Sequence, residues 1–531
     1  MLERRLAALL LALLPALPAA ARLPPRADAA PAGSTLGAAV AAFIAQPRFA
    51  SARWGIDIVD TADGRTVYAH DAGKLFVPAS NAKLYTAALA LHLLGPQARF
   101  ATRLYAGAPP DAHGVVQGDL ILAGGGDPAL GTDTGDDDGP DWAGTLAGHL
   151  VAAGIHRIDG DLVVDDTLFR DPPFGTGWGA DDVMTDYAPQ VGALTVGEGV
   201  IRVEVRRTGM RCCEVSVHPA SAGVRVRNLS VDATPGDDSS LLLYRPPGHD
   251  TLYVTGSLPT DVRERGYALA APDPARMAGR ELRDALAAAG VELTGRLRVV
   301  RWPESSLLPD APRRRLIARL ESPPLALLLR HMLQQSDNLY AQTLLLQAGL
   351  AWKQAGMDPC GRVLHWTSQW GLCALRTLLG GIGITREQAH FTEGSGLSRQ
   401  DLVSPRATTT LLAWIARQPW ATDLIDALPH SGRSGTLLYR LSELPQGDRI
   451  QAKTGTLAHM YTLSGFLEMQ DGRRLAFSLM LNNYQRPIRP DGDWAPPDPT
   501  QDLDAIVRIL AARGTTEMAA TAADATPPAS R

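Results

Sequence analysis

The spacing of apolar positions changes several times along the chain. "STLGAAVAAFIAQ" (34–46) has the small and apolar character of a helix. "RWGIDIVDTADGRTVYAH" (53–70) alternates apolar and polar positions on either side of "TADG", which predicts two strands joined by a hairpin turn. From Pro78 to Leu94 the apolar residues Leu84, Ala87, Ala88, Leu91 and Leu94 recur at helical spacing, and Gly95-Pro96 stops the helix. Between about 101 and 305 the texture changes to short strands rich in Gly, Asp and Val. Two segments there resemble each other, "LAGHLVAAGIHRIDGDLVV" (146–164) and "LRDALAAAGVELTGRLRVV" (282–300). Each predicts a helix, an Ala-Ala-Gly stop and a strand, so one α/β unit is repeated, with a β-rich stretch (196–262) between the copies. From about 306 the helical period returns in "SPPLALLLRHMLQQSDNLYAQTLLLQAG" (322–349), broken at Ser336-Asp337-Asn338. "RIQAKTGTL" (449–457) reads as a strand, "YTLSGFLEMQDGRRLAFSLMLNN" (461–483) as a hairpin, and "DLDAIVRILAARG" (502–514) as a last helix.

At 531 residues and 45% apolar, the chain is too long for one ordinary domain and can bury a large core. Its net charge of −5 argues against nucleic acid as a partner. Arg4 and Arg5 precede the apolar run "LAALLLALLPALPAAA", which reads as a signal peptide over 1–21 and predicts a periplasmic protein. No other segment could span a membrane, so at most peripheral membrane contact is expected. Export permits disulfides. Of the four cysteines, Cys360 and Cys373 could form a local bridge, whereas adjacent Cys212 and Cys213 rarely bond each other. No C-x-x-C or H-E-x-x-H pattern occurs, so no metal site is expected. The acidic run "GTDTGDDDGPDW" (131–142) lacks calcium-loop spacing and reads as a solvated loop.

The chain holds only four lysines, Lys74, Lys83, Lys353 and Lys453, among a great excess of arginines. Lys83 follows Ser80 by three residues, which places both on one face of the predicted helix. A serine needs a base to become a nucleophile, and a desolvated lysine can be one, whereas arginine cannot give up its proton. At Ser336-Asp337-Asn338 a serine could relay a proton and an asparagine could hold a substrate amide; alone, the triplet reads equally as a helix cap. In Lys453-Thr454-Gly455-Thr456, Lys453 and Gly455 share a strand face, and a cation beside hydroxyls suits a carboxylate ligand. Gly455 leaves room for close approach to the backbone. S-x-x-K, S-D-N and K-T-G in this order are the motif set of penicillin-binding proteins and class A β-lactamases.

The chain resembles the class C low-molecular-mass penicillin-binding proteins, the D-alanyl-D-alanine carboxypeptidase/endopeptidase family, over roughly 35–510. "VPASNAKLYTAALAL", "GDLILAGGGDPAL", "IDGDLVVDDTLF", "SDNLYAQTLL", "EGSGLSRQDLVSP" and "AKTGTLAHMYTLSGF" carry the likeness. The resemblance implies an α/β (α+β) fold. A penicillin-recognising serine transpeptidase-like domain, an antiparallel sheet flanked by helices, would carry two inserted domains between S-x-x-K and S-D-N. The catalytic domain is expected over 35–103 and 306–512, an inserted α/β domain over 104–195 and 263–305, a second β-rich insert over 196–262, and a disordered tail over 513–531. The resemblance further implies acyl transfer from a D-Ala-D-Ala stem peptide of peptidoglycan, with no cofactor and with β-lactams as covalent inhibitors. Ser80 would be the nucleophile and Lys83 its base. Ser336 would relay a proton under the influence of Lys453, and Asn338 would hold the substrate amide. Lys453, Thr454 and Thr456 would bind the terminal carboxylate beside Gly455, and the N–H groups of Ser80 and Thr456 would form the oxyanion hole. One departure is Glu393, where the family commonly has Asp before G-S-G-L-S-R. "GSGLSR" (394–399) reads as structural, because it lacks the strand–elbow–helix setting of a nucleophilic serine. Two competing readings are a β-lactamase, for which the chain is far too long, and a wall-binding protein with a vestigial site.

Overall fold

Strands from the two ends of the chain build one antiparallel sheet. Its order is Thr66–His70, Arg53–Asp60, Arg474–Asn482, Met460–Glu468, Ile450–Leu457. The predicted hairpins at "TADG" and "DGRR" supply two of its connections. The structure, a computed structural model, describes residues 35–523 apart from 133–140, 209–210, 307–313, 357–359, 361–363, 446, 490–493 and 495–496. The expected signal peptide lies outside the described residues.

Both faces of this sheet are covered, so the strands Arg53–Asp60 and Arg474–Asn482 are buried nearly end to end rather than alternating with solvent. On one face, Trp54, Ile56, Ile58, Leu463 and Leu479 pack with Leu36 and Val40 of the helix Thr35–Ile44 and with Ile506 and Val507 of the terminal helix Pro499–Ala523. That last helix continues into the segment from Arg513 expected to be a disordered tail. The Ala-rich stretch there holds no proline before Pro527 to stop it. On the other face lie the helices Ala82–Leu94, Leu325–Gln335, Asn338–Gln354, Thr367–Gly381 and Pro405–Ile415. The helix Ala82–Leu94 is the hub: every residue from Ala82 to Leu91 is buried, so the amphipathic pattern marks a central helix with no wet face.

A second five-stranded sheet has the order Leu297–Arg301, Leu162–Asp166, Leu120–Ala123, Ala101–Ala106, Arg315–Glu321. The repeated segments lie side by side in it. Leu297–Arg301 runs parallel to Leu162–Asp166, and the preceding helices, Trp142–Ala152 and Pro274–Ala288, pack through Leu146, Leu150, Leu282 and Leu286 into one core. A three-stranded antiparallel sheet, Glu264–Ala270, Val200–Thr208, Arg211–His218, and smaller β pieces over 225–259 complete the insert. Strands belong with their hydrogen-bonded partners, and these pairings cross the boundaries expected from sequence texture. Ala101–Ala106 and Arg315–Glu321 are the antiparallel edge of the second sheet, and Glu264–Ala270 pairs with Val200–Thr208. We propose that the units divide along these pairings, near 100 and 322 and near 200 and 270, rather than at 103, 306, 196 and 262.

Both pairs of cysteines are bridged. Cys360–Cys373 closes the expected local loop, and Cys212–Cys213 also bond each other, across a cis peptide, against the expectation for neighbours. Among the described residues no helix is long and apolar enough to cross a membrane.

Candidate active site

Ser80 sits in the single turn Ala79–Asn81 that leads into the helix Ala82–Leu94. Ala79 before it has φ 47, a left-handed conformation that an alanine holds only when its surroundings impose it. Gly396 packs directly on that turn, where a Cβ would run into the Ala79 carbonyl. One helical turn on, Lys83 is completely buried, and its three donors each find an acceptor: Ser80 Oγ at 3.0 Å, Asn338 Oδ1 at 2.5 Å and the Ser395 carbonyl at 2.8 Å. Burial lowers the lysine to about 8, and the charges of Glu393 and then Asp337 keep it from falling further.

The polar triplet breaks the helical pattern because it joins two helices. Ser336 ends Leu325–Gln335 in a left-handed conformation (φ 64), and Asp337 caps Asn338–Gln354 by accepting from the Tyr340 N–H at 2.8 Å. This tight corner turns Ser336 Oγ toward Lys453 and Asn338 toward Lys83. Lys453 Nζ donates to Ser336 Oγ at 2.9 Å and to the Thr454 carbonyl at 2.9 Å. It too is completely buried, and burial first, then the neighbouring Lys83, pushes it well below the usual lysine range. The sheet holds it in place through the pairing Lys453↔Ser464.

Gly455 has a more specific reason than access for substrate. A Cβ there would run into Thr462 Oγ1 on the neighbouring strand and would lie 3.0 Å from both the Ser80 nitrogen and the Pro78 carbonyl oxygen, so the missing side chain makes room for Thr462 and lets the Ser80 turn lie against the strand. Thr454 Oγ1 shares a 2.7 Å hydrogen bond with Thr436 Oγ1, and Thr456 is exposed on the same strand. The structure thus links Ser80, Lys83 and Asn338, and Ser336 with Lys453, while Thr454 to Thr456 border them.

Several groups outside the three motifs complete the site. Glu393 is buried and accepts from the Ser395 N–H at 2.6 Å, from the Gly396 N–H and from Trp178 Nε1 at 3.3 Å. It therefore shapes the "GSG" loop whose Ser395 carbonyl receives Lys83. Asp401 lies behind it, its carboxyl raised well above the ordinary range by burial and then by the Glu393 charge. Tyr187, from the insert, accepts from Asn338 Nδ2 at 2.8 Å through its carbonyl. Signals for these residues were faint: the "EGSGLSR" motif pointed to Glu393, but no local pattern marks Tyr187 or Trp178. A cavity of about 350 Å³ opens beside the triplet, lined by Asp186, Tyr187, Glu198 and Arg202 from the insert and by Ser336 to Leu339.

A two-hydroxyl, two-lysine arrangement with a serine on a strained turn is suited to acyl transfer. The family model described as D-Ala-D-Ala carboxypeptidase 3 (S13) matches residues 36–512. The chain belongs to that family. It is 32% identical over 468 residues to the D-alanyl-D-alanine carboxypeptidase of Actinomadura sp. (strain R39), covering 84% of this chain and 80% of that protein. It is 26% identical over 422 residues to D-alanyl-D-alanine carboxypeptidase DacB of Haemophilus influenzae, covering 78% and 82%. Among solved structures, penicillin binding protein 4 (dacB) from Haemophilus influenzae superposes with a TM-score of 0.74 at 25% identity, over 87% of this chain and 96% of that one.

Proposed function

We propose that this S13-family chain is a serine-type D-Ala-D-Ala carboxypeptidase that acts on peptidoglycan stem peptides through an acyl-enzyme on Ser80. The observation that carries this reading is the contact of Lys83 Nζ with Ser80 Oγ at 3.0 Å, inside a site where the lysine is lowered to about 8. A neutral Lys83 amine takes the Ser80 proton as Oγ attacks the carbonyl of the penultimate D-Ala. The tetrahedral oxyanion is held by the Ser80 and Thr456 N–H groups. Collapse breaks the peptide bond, and the leaving D-Ala nitrogen takes the proton that Lys83 received, relayed through Ser336, while the substrate carboxylate favours the charged form of Lys453, which then supplies the local positive field. Asn338 holds the substrate amide, and Lys453, Thr454 and Thr456 hold the terminal carboxylate along the strand that Gly455 brings close to Ser80. Water then attacks the ester, which releases the shortened stem peptide and free Ser80. A β-lactam would acylate the same serine. The apolar N-terminal run fits export to the periplasm, where this substrate lies.

The test is intact mass after incubation with benzylpenicillin for wild type, Ser80→Ala and Lys83→Arg. One long-lived adduct on wild type, absent from Ser80→Ala and nearly absent from Lys83→Arg, is the expected result. No adduct on folded wild type would overturn it and favour a wall-binding role; rapid repeated turnover of a cephalosporin would favour a β-lactamase. Defined muropeptides then separate removal of a terminal D-Ala from cleavage of a D-Ala–diaminopimelate cross-link.

A further inference from the structure

Glu198, His331 and Asp337 come from three separate segments, the turn Gly197–Gly199 of the insert, the helix Leu325–Gln335 and the corner between two helices. Their ligand atoms, one from each residue, all lie within 4.8 Å of one another, and His331 Nε2 stands 2.8 Å from Glu198 Oε1. We propose that these three side chains form a divalent-cation site, of the kind Zn²⁺ fills, with its open position facing the cavity beside Ser336.

The donor set fits such an ion. One imidazole and two carboxylates give three protein ligands and leave a position for water, the ligand count of an open zinc centre. An imidazolium could neutralise only one of the two carboxylates; a divalent ion balances both and uses the imidazole lone pair. Asp337 Oδ1 is engaged by the Tyr340 N–H, which leaves its other oxygen for the ion.

A single buried tyrosine orients all three ligands, as outer groups do around metal centres. The Tyr340 ring stacks on His331 with centroids 4.5 Å apart, its hydroxyl donates to Glu198 Oε1 at 3.5 Å, and its backbone N–H holds Asp337. The cavity supplies the coordinating water, since Glu198 and Asp337 both line it. Arg202 lines the same cavity and would face the bound water or an anion on the ion. An ion here would tie the insert to the residue between Ser336 and Asn338.

The site is tested by titrating Zn²⁺ into chelator-washed full-length protein in a calorimeter, for wild type, Glu198→Gln, His331→Gln and, as a control, the exposed His113→Gln. The expected result is one site per chain in wild type and in His113→Gln, weakened at least about tenfold in the other two. Benzylpenicillin adduct formation shows that each variant is folded. Co²⁺ gives a second reading on wild type alone: visible d–d bands without thiolate charge transfer mark the His/carboxylate set. Absence of a saturable one-to-one site in wild type, or one that persists unchanged in both Glu198→Gln and His331→Gln, would overturn the proposal.

Discussion

Lys83 and Lys453 are both completely buried, yet their surroundings differ. Lys83 has Glu393 and Asp337 close enough to offset much of its desolvation, and it settles at about 8. No carboxylate raises Lys453, and the positive Lys83 depresses it, so it falls well below the usual range. The neighbours thus act oppositely on the two lysines, the carboxylates favouring the charged form of Lys83 and Lys83 disfavouring that of Lys453. The comparison teaches that the base is set by the carboxylates behind it as much as by its contact with Ser80.

The largest effect expected is on the Ser80 pair. Ser80→Ala abolishes the benzylpenicillin adduct, and Lys83→Arg lowers the acylation rate by on the order of 10³-fold or more, because the guanidinium stays charged; stopped-flow acylation measures this. Next, Lys453→Met should cost roughly 10²-fold in acylation, on the scale of a lost electrostatic stabiliser. A Lys453→Met rate equal to wild type would break the division of labour between the two lysines.

Gly455→Ala tests the sheet's part in the comparison. Its new methyl displaces the Thr462 hydroxyl, which donates to the Pro78 carbonyl at 2.9 Å, and crowds the Ser80 nitrogen, so acylation should slow by about 10-fold to 10²-fold while the fold persists. A smaller effect follows from Glu393→Gln. Removal of that charge leaves Asp337 as the other carboxylate raising Lys83, so the ascending limb of the acylation profile, set by loss of the Lys83 proton, moves from about 8 to lower pH. Glu393→Asp keeps the charge and should restore the wild-type limb; equal profiles for all three forms would remove Glu393 from the account.

The smallest effect is on stability. Lys83 binds its proton more weakly folded, at about 8, than unfolded, at 10.5, so the buried charge costs on the order of 3 kcal/mol at pH 7. That cost is relieved as pH rises from about 8 to 10.5. Wild type should therefore gain stability relative to Lys83→Met across this window, as read by denaturant unfolding at several pH values. A constant difference would show that the folded lysine titrates normally.

Much of the frame was legible because local patterns are dense there. Hairpin turns at "TADG" and "DGRR" announced the strands of the central sheet, and the repeated Ala-Ala-Gly segments announced neighbouring parallel strands. The three motifs placed five of the polar groups that meet at the site. The unit boundaries proposed from strand pairing differ from those expected from texture, because texture reports composition, whereas Ala101–Ala106 and Arg315–Glu321 are paired only through hydrogen bonds between distant segments.

By itself the sequence determined which residue types could do the chemistry, since a lysine one turn after a serine, a polar corner and a K-T-G strand are local arrangements of short range. Only the tertiary structure decided how they behave. Glu393 reaches the lysine site through the loop it shapes, Tyr187 arrives from the insert, and Glu198 meets His331 across the same junction. Proton affinity and ligand geometry depend on burial and on charges brought close from far along the chain. Those are properties of packing, which no spacing along the sequence records.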